Sequence, residues 1–173
     1  KTSLASAALL ALLASCGGGE GSAEPALHTG PHPLDGFYLN TPPDGAIEVA
    51  ALRGLEDGAT VTVRGDVQEF APVSGKAVLS LYDHALLSCD EIEGDQCPTP
   101  WDFCCIPPED IAKACALVEF REDGRLVSAD LGGFHGIKHL SDVVVTGTLQ
   151  LDGAGNAKIL ADGSGAAGGS CTG

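Results

Sequence analysis

Val61-Thr62-Val63-Arg64-Gly65-Asp66-Val67 and Val143-Val144-Val145-Thr146-Gly147-Thr148-Leu149 decide the fold of this chain. Both are rich in β-branched residues, and the first alternates apolar with polar side chains, the period of a half-buried strand. Each also holds a glycine in its interior. Glycine weakens a strand and marks a sharp bend there, and a small closing barrel requires such bends.

Outward from these two phrases the pattern stays β. Asp57-Gly58 turns into the strand that starts at Thr60, and Ser74-Gly75 separates it from Ala77–Tyr82, the return arm of a hairpin. Cys115–Phe120 and Arg125–Leu131 are joined across Asp123-Gly124, a strong short hairpin signal. Asp142–Leu151 and Asn156–Leu160 form a last hairpin around Asp152-Gly153-Ala154-Gly155. Two short helices are expected. Ala46–Arg53 has apolar residues at helical spacing with Gly54 as its cap, and Phe134–Leu140 precedes the late strand. Six Asp-Gly pairs, at Asp35, Asp44, Asp57, Asp123, Asp152 and Asp162, sit at turns. The fold class that follows is mainly β: a small OB-fold-like barrel with one or two short helices and a Cys-rich loop. The short helix, the turn and the Val-Thr-Val-Arg-Gly strand resemble small periplasmic OB-fold proteins of the bacterial stress-response type.

The N-terminus carries an address. Lys1 leads an apolar run that ends in Leu13-Ala14-Ser15-Cys16, with Gly17-Gly18-Gly19 behind it. A charge, an apolar stretch and a small-residue cleavage site make a secretory signal, and the run falls short of the about 20 residues of a membrane span. The Leu-Ala-Ser-Cys box resembles that of bacterial lipoproteins. That resemblance implies cleavage before Cys16, lipidation of Cys16 and attachment to a membrane. Four regions are expected: a signal peptide at 1–15, the lipidated Cys16 with a flexible Gly-, Ser- and Pro-rich tether at 16–43, an OB-like domain at 44–162 with a Cys-rich insertion at 83–113, and a Gly-rich tail at 163–173. The expected location is the bacterial cell envelope, with Gly17 after the cysteine favouring the outer membrane facing the periplasm. Partners would be the membrane, through the anchor, and an envelope protein.

The formal net charge is −15, and loss of Lys1 makes it −16. Phosphate binding depends on Lys and Arg, so this charge predicts no nucleic acid partner.

Seven cysteines are present: Cys16, Cys89, Cys97, Cys104, Cys105, Cys115 and Cys171. Without Cys16 six remain, an even number that in an exported protein suggests disulfides, with fifteen possible pairings. The segment Cys89-Asp-Glu-Ile-Glu-Gly-Asp-Gln-Cys97-Pro-Thr-Pro-Trp101-Asp-Phe-Cys104-Cys105 carries the distinctive chemistry. Its Cys-Pro-Thr-Pro-Trp-Asp-x-Cys-Cys motif resembles one in uncharacterised envelope lipoproteins with an OB-like domain, which implies the architecture and leaves the activity open. Two readings stand side by side. In one, the sulfurs staple the loop, and Trp101 covers them or plugs the barrel end. Adjacent Cys104 and Cys105 would then pair elsewhere, since a ring between neighbours is strained. In the other, Cys89, Cys97, Cys104 and Cys105 hold a soft metal such as copper or zinc, with Asp90, Glu91, Asp95, Asp102 or His84 nearby, or exchange thiols in a redox role. The lack of Cys-x-x-Cys excludes a zinc knuckle and a thioredoxin-like motif. His135 and His139 would share one face of a helix and form a weaker candidate pair for metal; His28 and His32 fall in the tether.

Other signals fail. Gly163-Ser-Gly165-Ala-Ala-Gly168 matches a dinucleotide fingerprint by letter but has no room for the helix that must follow it. No Gly-x-Ser-x-Gly elbow and no phosphate-binding loop occur, so no catalytic residues are expected. The function expected from these features is a membrane-anchored, non-catalytic binding or structural module, the alternative being a metal-handling or thiol-redox protein.

Overall fold

The computed structural model describes residues 31–70, 73, 75–162 and 168–169. Its strands are β1 (Ile47–Glu48), β2 (Thr60–Phe70), β3 (Val78–Tyr82), β4 (Cys115–Glu122), β5 (Arg125–Leu126), β6 (Asp142–Leu151), β7 (Ala157–Asp162) and β8 (Gly168–Gly169). β2 pairs antiparallel with β3, and β3 antiparallel with β4. β4 pairs parallel with β7, β7 antiparallel with β6, and β6 antiparallel with β2. The five strands thus close on themselves, and the result is the small OB-fold-like barrel expected from the sequence. β1 adds a short parallel edge to β2, β5 a short antiparallel arm to β4, and β8 pairs with β6.

Closure follows from the two strand-internal glycines. A Cβ at Gly65 would press on the Tyr82 carbonyl oxygen and lie 2.8 Å from Val49 Cγ2. A Cβ at Gly147 would press on the Leu160 carbonyl oxygen and lie 2.8 Å from Ile159 Cγ2. Neighbouring backbone therefore crosses where only hydrogen fits. β2 bends again at a register shift between Val67 and Glu69. Inside, Val63, Val67, Leu81, Val118, Val145, Leu149, Ile159 and Ala161 are fully buried. This is the apolar half of the alternation, taken out of water at about 25 cal/mol per Å².

Three local expectations change. Ala46–Arg53 is divided between β1 and a 3-10 helix, Val49–Gly54, because Ile47 and Glu48 are drawn into register with Val63 and Arg64. Phe134–Leu140 is a 3-10 turn over Phe134–Gly136, not a helix: His135, Gly136 and Leu140 all have positive φ (46°, 81° and 58°), which a right-handed helix does not admit. The strand after Asp123-Gly124 ends at Leu126, with one further bond from the Val127 N–H to the Phe120 carbonyl at 2.9 Å. The turn itself is as expected, with φ of 50° and 75° at the two residues, the left-handed pair of a type I′ hairpin.

Leu34 and Phe37 lie in the stretch whose composition reads as tether, yet they are buried, and Phe37 packs edge-on to Phe120 at 5.6 Å. The expected signal peptide, Cys16, His28, Gly163–Gly165 and Cys171 lie outside the described residues. Among the described residues no helix is long and apolar enough to cross a membrane.

Candidate metal centre

The Cys-rich insertion runs between β3 and β4. It contains a 3-10 turn at Cys89–Glu91 and α1 (Pro108–Lys113), which starts on a proline, a residue suited to the first helical turn. Backbone bonds fold it onto itself: the Cys89 N–H donates to the Asp102 carbonyl at 2.8 Å, and the Asp90 N–H to the Pro100 carbonyl at 3.0 Å. Phe103, only 3 % exposed, fixes the loop to the barrel by stacking on Tyr82 at 4.8 Å. Trp101 neither plugs the barrel nor is fully buried; it stacks on His139 at 4.9 Å.

That fold brings sulfurs together. Cys89 Sγ lies 3.3 Å from Cys104 Sγ, and Cys97 Sγ lies 3.6 Å from the same atom. Ligand atoms of Cys89, Cys97 and Cys104 all fall within 4.8 Å of one another, as do those of Cys89, Asp95 and Cys105. Cys105 Sγ donates to Asp95 Oδ2 at 3.1 Å, and Asp95 Oδ1 accepts from the Cys97 N–H at 2.8 Å. Cys89 is buried, Cys97 is half-buried, and Cys104 and Cys105 are exposed.

The five described cysteines are free thiols, so the disulfides expected from cysteine parity are not formed among them. The sulfurs that face each other, Cys89 and Cys97 against Cys104, stand 3.3 and 3.6 Å apart, well beyond the about 2.05 Å of an S–S bond. Cys115 stands apart at the start of β4, its nearest polar contact the Ala112 carbonyl at 4.0 Å, and burial raises its thiol pKa.

The thiols differ in acidity. Hydrogen bonding from Thr99, whose hydroxyl is 3.3 Å away, lowers the Cys97 thiol. Sharing its proton with Cys89 and Cys97 raises Cys104, and the Asp95 carboxylate raises Cys105 while its own pKa falls. The cluster thus sets one sulfur with a lowered pKa, Cys97, beside two with raised ones, Cys104 and Cys105.

Of the acidic residues expected near the thiols, Asp95 joins them. Glu91 caps its turn through the Ser88 N–H at 2.9 Å, and Asp102 Oδ1 accepts from the Phe103 N–H at 2.7 Å. His135 and His139 do not converge. His135 stacks flat on Tyr38 at 3.6 Å, while His139 faces Trp101 and the Gln68 carbonyl, because the left-handed turn between them sends the two rings to different neighbours.

His84 instead belongs to a second group absent from the sequence motifs. Its Nδ1 lies 2.8 Å from Glu48 Oε2, and its Nε2 lies 3.6 Å from Asp66 Oδ1 and 3.4 Å from Asp142 Oδ1. Asp142 also accepts from Nε and Nη2 of Arg64, which lowers its pKa, while burial raises that of Asp66. Burial works against the charged imidazole, yet the Glu48 hydrogen bond and the nearby carboxylates leave the His84 pKa raised. Its neighbour Asp83 is buried and structural: Oδ2 accepts from the Ala50 N–H at 2.7 Å and Oδ1 from the Ala85 N–H at 2.9 Å.

No protein-family model and no curated protein matches this chain. Among solved structures it is similar to Pot1pC of Schizosaccharomyces pombe bound to single-stranded DNA, with 9 % identity and a TM-score of 0.38, over 69 % of this chain and 77 % of that one. It is also similar to the aspartyl tRNA synthetase of Entamoeba histolytica, with 13 % identity and a TM-score of 0.44, over 85 % of this chain but 26 % of the synthetase. These likenesses assign no ligand. The exclusion of nucleic acid drawn from net charge is withdrawn. The physical reason is that total charge averages over the whole surface, whereas one face of a barrel is what meets a ligand.

Proposed function

We propose that this chain is a membrane-anchored envelope lipoprotein whose barrel carries a thiolate site for a soft metal ion, copper(I) or zinc. The observation that carries the metal reading is the convergence of Cys89 and Cys97 on Cys104 at 3.3 and 3.6 Å. Two thiolates bound tetrahedrally at about 2.3 Å stand about 3.8 Å apart, close to this spacing. Cys105 and Asp95 supply candidates for a fourth ligand. The support for the anchor is the Leu13-Ala14-Ser15-Cys16 box. Phe103 and the short backbone bonds of the loop would hold the sulfurs ready, so that binding needs little rearrangement.

The test is a count of thiols and metal in the purified full chain. Alkylation under denaturing conditions with a chelator, read by intact mass and peptide mapping, is expected to label Cys89, Cys97, Cys104 and Cys105 along with the isolated Cys115, with about one equivalent of metal released. No labelling and no metal would overturn the proposal and make the loop a disulfide staple. Acylation that persists in a Cys16→Ser variant would overturn the anchor.

A further inference from the structure

Asp66 and Asp142 are register partners on β2 and β6, directly opposite across the strand pair. Like charges in that position repel, and an antiparallel sheet gives no backbone reason to place them there. Arg64 offsets part of the repulsion by holding Asp142. His84, delivered from the end of β3, points its Nε2 between the two carboxylates.

The tautomer of His84 follows from its other side. An ionised Glu48 can only accept, so Nδ1 carries the proton and donates it at 2.8 Å. Nε2 is then the atom left to bind a cation. It is buried from solvent and lacks a hydrogen-bond partner, and its contacts at 3.4 and 3.6 Å are longer than an ordinary N–H···O bond. A nitrogen and an oxygen held tetrahedrally by one ion at about 2.1 Å stand about 3.4 Å apart. Glu48 on Nδ1 and Arg64 on Asp142 occupy the places where outer partners orient a ligating histidine and a ligating carboxylate.

We propose that Asp66, His84 and Asp142 form a divalent cation site, separate from the thiols, for an ion that accepts mixed imidazole and carboxylate ligands, such as zinc or cobalt(II). With neutral His84, the charges of Glu48, Asp66, Asp142 and Arg64 sum to −2, which one divalent ion cancels. The three side chains are 23–34 % exposed, so solvent reaches the ion's remaining positions.

The test is zinc titration of the full chain by equilibrium dialysis, run in parallel on three variants. His84→Gln and Asp66→Asn are each expected to lose one equivalent, with at least a tenfold weaker affinity. A Cys97→Ser/Cys104→Ser variant is expected to keep that equivalent, whatever becomes of the thiol site. Uptake in His84→Gln and Asp66→Asn equal to the wild type overturns the proposal, as does disappearance of the equivalent with the cysteines. A wild-type measurement covers variants that fail to fold: the His84 ring nitrogens, followed by imidazole nitrogen NMR, are expected to shift on zinc saturation. Unchanged Nε2 overturns the site and leaves His84 as an imidazolium bridging two aspartates.

Discussion

The barrel and the Cys-rich insertion are built on opposite principles. In the barrel every strand has backbone partners on both edges, and the interior is a continuous set of buried aliphatic side chains. In residues 83–113 regular structure amounts to a 3-10 turn and the single short helix α1, and Phe103 and Cys89 are the buried hydrophobic side chains. The barrel is specified by its own chain, whereas the loop gathers a cluster of thiols, with Cys89 and Cys97 converging on Cys104. The barrel is thus the rigid part that positions the thiol-bearing loop, as is usual when a scaffold presents loops.

Breaking the barrel should have the largest effect. Gly147→Val places a branched side chain against the Leu160 carbonyl, and a loss of about 4 kcal/mol is expected in urea denaturation. An unchanged midpoint would refute the account of closure. Phe103→Ala tests the anchor between the two regions. It is expected to cost about 3 kcal/mol, felt as loss of hydrogen-exchange protection across 83–113 while the amides of β2 and β6 stay protected. Equal loss in both regions would show that the loop is part of the barrel's cooperative unit. Metal removal sharpens the contrast further: a chelator is expected to change the fluorescence of Trp101, in the loop, and to leave the barrel's far-ultraviolet circular dichroism intact. A simultaneous collapse of both signals would contradict the separation.

The smallest effect is expected at the last hairpin. The Asp152 carboxylate accepts from the Asn156 side chain and from the backbone N–H groups of Asn156 and Ala154, and these bonds lower its pKa. A carboxylate stabilised in this way contributes above its ordinary pKa and loses the contribution as pH falls through the lowered value. Asp152→Asn should therefore unfold at a lower temperature than the wild type at neutral pH, and the gap should close in acid. A gap that widens in acid would reverse the assignment.

The barrel was legible because its signals are local. Gly65 and Gly147 sit within strand patterns, and Asp123-Gly124 encodes its turn by itself. The helices were less so: Ile47 and Glu48 follow a helical spacing, but pairing with β2 overrides it. Leu34 and Phe37 were hidden by surrounding prolines and glycines, although their spacing, with Tyr38 next, is that of a short buried turn. The thiol cluster could be named from spacing alone, but not its geometry. The Asp66–His84–Asp142 group could not be named at all, because its members come from three separate elements and become neighbours only through register. Asp66 follows Gly65 directly and Asp142 stands five residues before Gly147, so nothing in the two strand phrases marks them as partners.

The parallel pairing of β4 with β7 also sets when this molecule can become itself. β7 fills the slot between β4 and β6. During synthesis, or passage through a narrow channel, the core stays open until residues 157–162 have emerged, so folding waits on contacts far apart in sequence. Until then β4 and β6 each present a bare backbone edge, open to pairing with any other strand.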